Sequence, residues 1–171
     1  MSGDFLAEAT RLVLSHIPAI MFVAALALAA FVKQPADFST RLLCWMLLRS
    51  VGVEELWAGL FHVFFPHVAA ASIGWEVSPF QFEIGVADIA IGLTAIASFW
   101  CSLPFKAATT AYVTLFYAGV AIGHVREAVT SENFSGNNFG LPLLITVVKV
   151  VILPMLYLMA RKNASAQGLG D

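Results

Sequence analysis

Five long apolar runs, separated by short polar stretches, dominate the pattern of hydrophobic and polar positions along this chain. They cover approximately residues 11–33, 41–65, 79–101, 104–126 and 140–161. Each run approaches the roughly 20 residues that a helix needs to cross about 30 Å of hydrocarbon. We therefore predict an all-α protein, a polytopic transmembrane helix bundle of about five spans, with four as the alternative count. The whole chain, residues 1–171, is expected to form a single transmembrane domain.

The start of the third span has the residues typical of a helix N-terminus. Ser78 is a suitable cap, Pro79 suits the first helical position, and Gln81 stands where a capping box places a glutamine. We therefore interpret Gln81 as a capping residue. The stretch NFSGNNFG at 133–140 has turn chemistry and predicts a loop before the fifth span.

Composition supports a membrane protein. The chain is 60% hydrophobic and 12% charged, whereas soluble domains average about 45–50% apolar and about 25% charged residues. The net charge of −2 and the lack of a basic cluster give no indication of a nucleic-acid partner, and the expected partner is the lipid bilayer. Cys44 and Cys101 lie in apolar runs without metal-type spacing, and we interpret them as free thiols.

Lysine and arginine positions predict the orientation. With five spans, one side of the membrane carries Lys33, Arg41, Lys106, Arg161 and Lys162, and the other carries Arg11 and Arg126. Because cytoplasmic loops carry the excess of these residues, we predict an outside N-terminus and a cytoplasmic C-terminus.

The second span, LLRSVGVEELWAGLFHVFFP, is apolar enough to cross a bilayer yet contains several ionisable residues. Converting sequence position into depth at about 1.5 Å per residue sorts the polar residues of all spans into two layers. The layer near the outer face contains His62, Gln81, Glu83, His124 and Glu127. The layer near the midplane contains Glu54, Glu55, Asp88 and Lys149, with Arg49 below them.

Helical periodicity groups these residues into three stripes of polar and small side chains. The stripes are Glu55–Gly59–His62, then Gln81–Gly85–Asp88–Gly92, then Thr110–Thr114–Tyr117–Ala121–His124. We expect them to converge on one polar interior. Gly119 and Gly123 form a GxxxG pattern that leaves a homo-oligomer open.

The outer layer supports two interpretations. His62, His124 and a carboxylate from Glu83 or Glu127 form a two-histidine, one-carboxylate set suited to zinc or ferrous iron. In the alternative interpretation, both histidines lie at the membrane interface and donate hydrogen bonds to nearby glutamates.

The midplane layer must be largely neutralised, because an ionisable side chain at bilayer depth costs about 2.5–3.5 kcal/mol. We expect Lys149 to neutralise Glu55 or Asp88, and one carboxyl, Glu54 or Asp88, to stay protonated and able to carry a proton. The structural alternative is an ion-pair network that locks helix register.

Several segments together resemble a known family: FHVFFP, GW, SPFQFEIGVADIAIG, a GH pair and NFSGNNFG. Over about residues 45–155 the chain is similar to a family of small bacterial integral membrane proteins, a domain of unknown function. The resemblance implies an inner-membrane location but no activity. It marks as matching the family motif Glu55, His62, Gln81, Glu83, Asp88, His124 and Asn137. Lys149 stands where the resemblance leads us to expect an acidic or neutral residue.

Three functions are compatible with this pattern. The first is a small transporter or channel-like protein that binds a proton or cation in an interior formed by Glu54, Glu55, Asp88, Arg49, Lys149 and Tyr117. The second is a membrane-embedded enzyme, an isomerase or a metal-dependent one, acting on a lipid-like substrate in a pocket walled by Trp57, Phe61, Phe64, Phe80 and Tyr117. The third is an accessory subunit of a larger membrane complex.

Overall fold

The computed structural model describes residues 16–32 and 36–166, and throughout these ranges the regular structure is helical, as predicted. There are six helices in this part of the chain. They are α1 (Ile17–Phe31), α2 (Phe38–Phe64), α3 (Pro66–Ile73), α4 (Phe80–Ser98), α5 (Leu103–Thr130) and α6 (Leu141–Ala166).

Three of these helices, α4, α5 and α6, are long and apolar enough to cross a membrane. A fourth span results if α2 and α3 are counted together, although the chain bends by 115° between them. Helix α1 is apolar but has only 15 residues. The prediction of about five spans is therefore roughly confirmed. Arg11 and Lys33, which contributed to the predicted orientation, lie outside the described residues.

Helix α2 contains a π-helical segment, Met46–Val53, between the α-helical stretches Phe38–Trp45 and Glu54–Phe64. In a π-helix each N–H bonds to the carbonyl five residues back, and such segments are rare and frequent at functional sites. Here the segment ends where Glu54 and Glu55 begin the following α-helical turn.

Asp37 joins the first turn of α2 to the last turns of α6. Its carboxylate accepts hydrogen bonds from the backbone N–H groups of Ser39 and Thr40, at 3.0 and 3.2 Å, and from the Asn163 side chain at 2.8 Å. Partial burial opposes ionisation, but these bonds hold the pKa of Asp37 well below its ordinary value. The charged cap fixes one end of the bundle.

Glycines allow α2 and α4 to pack against each other at very short range. A Cβ atom on Gly59 would lie 2.6 Å from the carbonyl oxygen of Gly85, and one on Gly92 would lie 2.5 Å from the backbone nitrogen of Leu56. The helices run antiparallel, so that Gly52 lies close to Gly92 and Gly59 close to Gly85. Backbone contact of this kind is what small residues make available between membrane helices.

The GxxxG pattern of α5 has a different environment. No heavy atom of a neighbouring segment lies within 4 Å of a Cβ atom built on Gly119 or Gly123. The pattern therefore makes no close helix contact within the described chain.

The glycine contacts predict different effects for two kinds of substitution. Gly59→Ala and Gly92→Ala should each lower stability by about 1–3 kcal/mol, because the added methyl group meets backbone atoms that have no room to move. Gly119→Ala is the matched control, and it should leave stability unchanged or slightly raised because alanine is the better helix former. Thermal unfolding in lipid nanodiscs measures both effects, and equal melting temperatures for Gly59→Ala and Gly119→Ala would contradict the proposed packing.

Candidate functional site

A buried ion pair links α6 to α2. The ammonium of Lys149 is 2.8 Å from Oε1 of Glu54, and it also donates a hydrogen bond of 3.2 Å to the carbonyl of Ser50 in the π-helical segment. Lys149 is 0% exposed, and its Nζ lies 4.2 Å from the centre of the Tyr117 ring. The ion-pair contact of Lys149 is therefore with Glu54 and not, as expected, with Glu55 or Asp88, although the ammonium also attracts Glu55.

A second acidic group lies beside this pair. Glu55 and Asp88 are 7% and 5% exposed, their carboxyls are direct neighbours, and the Tyr117 hydroxyl lies next to Glu55. The glycine contacts explain this meeting, since Glu55 lies between Gly52 and Gly59 on α2, in the stretch that touches α4. The Glu55 stripe of α2 and the Asp88 stripe of α4 therefore lie together, and Tyr117 from the third predicted stripe lies beside them.

Arg49 does not join the group. It is half-buried, and no hydrogen bond or ion pair connects it to the acidic residues within ranges 16–32 and 36–166. The ion pair that the structure places in the interior is that of Lys149 with Glu54, while Arg49 lies five residues before Glu54 on the π-helical segment. Among the described residues, the carboxyls of Glu54, Glu55 and Asp88 and the ammonium of Lys149 thus make up the charged interior.

Several buried polar atoms of this interior have no hydrogen-bond partner within the described part of the chain. They are Ser50 Oγ, Glu54 Oε2, Thr110 Oγ1 and Thr114 Oγ1. Buried polar groups in proteins are nearly always paired, so a cluster of unpaired ones indicates a place where a proton, a water or a ligand is handled.

In the outer layer, His62 contacts Gln81. The Gln81 side-chain nitrogen is 3.3 Å from Nδ1 of His62 and donates a hydrogen bond of 2.7 Å to the carbonyl of Pro66. The N-cap of α4 is Pro79, and no side chain caps this helix. The interpretation of Gln81 as a capping residue was therefore wrong, because its side chain makes contacts at the junction of α2 and α3.

His124 belongs to a separate network. Its Nδ1 is 2.7 Å from Oδ1 of Asn138, which also accepts a hydrogen bond of 3.2 Å from the Trp75 indole. Because that oxygen is an acceptor, the network assigns the proton to Nδ1 of His124. Asn138 is fully buried, yet the sequence pattern did not single it out and pointed to its neighbour Asn137 as a motif residue instead. The only signal was the polar density of the NFSGNNFG stretch.

The same stretch holds α3 in place. Asn133 and Ser135 donate hydrogen bonds of 2.8 and 3.1 Å to the carbonyl of Ile73, and Asn137 donates one of 3.1 Å to the carbonyl of Ser72. These bonds satisfy carbonyls at the end of a short helix, where intrahelical partners are missing.

The outer layer does not fit a metal centre. No group of three or more His, Cys, Asp or Glu side chains is positioned to hold a metal ion in the portion of the chain that the structure describes. His62 and His124 make separate contacts, Glu83 is exposed and Glu127 is half-buried. The alternative interpretation expected glutamates as the hydrogen-bond partners of the histidines. It was also wrong for the Nδ1 atoms, because Nδ1 of each histidine contacts the side-chain amide of Gln81 or Asn138.

A cavity of about 830 Å³ connects the two layers. It lies between α1, α2, α3 and the 131–140 loop, with Glu54 and Glu55 at its deep end and His62 and Asn137 nearer the outer end. Trp57 and Phe61 form walls as expected. The predicted wall residues Phe64 and Phe80 instead face outward, and Tyr117 lies in the charged interior.

The ion pair predicts a strong effect of removing one partner. Lys149→Met should cost about 3–5 kcal/mol of stability, because it leaves the Glu54 carboxylate buried without a counter-charge. The double variant Glu54→Gln/Lys149→Met should recover most of that loss. A denaturation-based double-mutant cycle gives the coupling, and equal losses in the single and double variants would refute the pairing.

The loop network predicts a contrast between adjacent asparagines. Asn138→Ala should lower stability by about 1–3 kcal/mol and shift the Trp75 fluorescence, because it leaves the indole N–H and His124 without their shared acceptor. Asn137→Ala removes one bond at the cavity rim and serves as the control. Similar melting temperatures and spectra for the two variants would argue against this network.

The comparisons with known proteins agree with the family suggested by the motifs. A family of unknown function (DUF6790) matches residues 15–166. No curated protein and no solved structure matches the chain. The match covers all six helices and every residue of the two polar layers, and the chain therefore belongs to the DUF6790 family.

Proposed function

We propose that this protein handles protons inside the membrane, with the neighbouring carboxyls of Glu55 and Asp88 as the group that binds and releases them. The observation that carries the proposal is the charge balance of the interior, where three buried carboxyls accompany the ammonium of Lys149. The other buried ammonium among the described residues, that of Lys106, instead donates hydrogen bonds to backbone carbonyls beyond the end of α4. Ionisable residues at membrane depth are functional candidates because their presence is costly.

The contact partners indicate where the proton is held. Glu54 and Lys149 form an ion pair at 2.8 Å, whereas Glu55 and Asp88 contact each other and form no ion pair of their own within the described residues. Lys149 also attracts Glu55, but one ammonium cannot neutralise three carboxylates. Two neighbouring carboxylates in a low-dielectric site repel each other, so one of them takes up a proton that the pair then shares. Of the two carboxyls that the sequence suggested as proton holders, this arrangement favours Asp88 over Glu54.

Polar groups extend from this pair in both directions. Towards the outer layer, the cavity spans the distance from Glu55 to His62, about 10 Å along α2. In the other direction, Tyr117, Thr114 and Thr110 follow one face of α5. The Tyr117 hydroxyl lies beside Glu55, and the two threonine hydroxyls are buried and unpaired within the described chain. With the N-terminus outside and the C-terminus cytoplasmic in an inner membrane, the cavity would open to the outside.

Infrared spectroscopy tests whether the pair holds a proton. At neutral pH the wild-type protein in lipid should show the carbonyl-stretch band of a buried protonated acid, and the band should disappear or shift in both Glu55→Gln and Asp88→Asn. Glu83→Gln, which removes an exposed carboxyl of α4, is the matched control and should retain the band.

A spectrum without a protonated-acid band in the wild-type protein would overturn the proposal. Proton flux into proteoliposomes is the functional readout, and flux that persists unchanged in Glu55→Gln and Asp88→Asn would equally exclude this pair as the proton site.

One observation favours a second candidate, an enzyme acting on a lipid-like substrate. The cavity brings the aromatic walls of Trp57 and Phe61 together with two carboxyl side chains, a combination that suits general acid–base chemistry on an apolar molecule. Mass spectrometry of lipids incubated with the protein distinguishes this candidate, since it requires a changed product that Glu55→Gln does not form.

A further inference from the structure

We propose that the cavity between α1, α2, α3 and the 131–140 loop binds a lipophilic organic cation, an amine or quaternary onium group on an apolar body. Its charged head would lie against Glu55 and Glu54 and take the place of the proton shared by Glu55 and Asp88. This inference rests on the proposed proton site and gives it a substrate class.

The charge at the deep end of the cavity points to a cation. Glu54 and Glu55 both line it, and Oε2 of Glu54 is buried without a hydrogen-bond partner among the described residues, while Oε1 is taken up by Lys149. Glu54 is only 8% exposed. Uncompensated negative charge in a buried site is costly, and a cationic head in the adjoining cavity would offset it electrostatically.

The groups that face this end from the other helices do not cancel the negative charge. Residues 17–31 of α1 contain no ionisable side chain, α4 adds Asp88, and α5 adds the uncharged Tyr117. Helix α6 adds Lys149, which is already paired with Glu54, and α3 adds His67 at the cavity wall. Arg49 makes no ion pair with the carboxyls in the described ranges.

The walls and the size of the cavity point to an organic body rather than a metal ion. Trp57 and Phe61 stand side by side, with ring centres 4.9 Å apart, and aromatic faces attract organic cations. A volume of about 830 Å³ falls within the range of sites for drug-sized ligands, about 300–1,000 Å³. Among the described residues, no group of three or more His, Cys, Asp or Glu side chains is positioned to hold a metal ion.

The exchange balances in charge. Before binding, the Glu55–Asp88 pair carries one proton and one negative charge, as argued above. When a permanently charged cation enters, the shared proton leaves to solvent, and the cation supplies the positive charge that the proton supplied. No bond is formed or broken other than the O–H bond of the carboxylic acid.

Isothermal titration with tetraphenylphosphonium tests the proposal on the full chain in nanodiscs of zwitterionic lipid. This probe is large, apolar and permanently charged, so that any proton exchanged comes from the protein. Titrations in two buffers with different ionisation enthalpies give the proton count. We expect saturable binding beyond that of empty nanodiscs, with about one proton released per bound probe at a pH where the pair is protonated.

The variants locate the site. Glu55→Gln should weaken binding by about tenfold or more and abolish proton release, because it removes both the charge and the shared proton. Glu55→Asp keeps a carboxyl and should retain proton release, which distinguishes a chemical role from loss of folding. Glu83→Gln should bind the probe as the wild type does.

Three results would overturn the inference: no saturable binding, equal affinity in Glu55→Gln, or binding without proton release. The infrared band separates these results from a failure of the proposed function. A protonated-acid band in a protein that does not bind the probe removes only the cation site, whereas the lack of that band removes the proton site on which the exchange depends.

Discussion

The close contact between α2 and α4 is the constraint on which the interior depends. Gly52 and Gly59 meet Gly92 and Gly85 with too little space for a methyl group, and this brings two helix backbones together over two turns. The carboxyls of Glu55 and Asp88 lie between these contact points and become neighbours as a consequence. A pair of acidic residues that would repel each other is thus imposed by backbone packing, which adding larger side chains would prevent.

The remaining helices determine how this acidic group is compensated. Helix α6 supplies Lys149, which pairs with Glu54. The Nζ atom of Lys149 also lies 4.2 Å from the centre of the Tyr117 ring on α5. The interior is therefore divided into an ion pair and two neighbouring acidic residues that form no ion pair of their own within the described chain. One ammonium among three carboxyls leaves negative charge that is not compensated. A proton or the organic cation proposed above would compensate it.

The outer layer has a structural character that differs from the interior. Amide side chains of Gln81, Asn133 and Asn138 bind histidine nitrogens and the carbonyls around α3, so that a helix bent by 115° from α2 is held as a cover over the cavity. These hydrogen bonds satisfy backbone carbonyls at the points where the helices end. The outer layer thus shapes one end of the cavity, while the acidic residues at the other end are the groups that can bind a proton or a cation.

The sequence by itself determined the helical class, the approximate spans and the family, because apolar length, helical period and short motifs are local properties of the chain. It also placed Glu55, Gly59 and His62 on one face, opposite Gly85 and Asp88. Which cation met which carboxyl, the distance of Arg49 from the group, and the role of Asn138 were decided only by tertiary structure. Those outcomes depend on the rotation of α6 relative to α2, on the extra residue per turn in the π-helical segment, and on how one loop folds over α3. None of these leaves a periodic signal in the sequence.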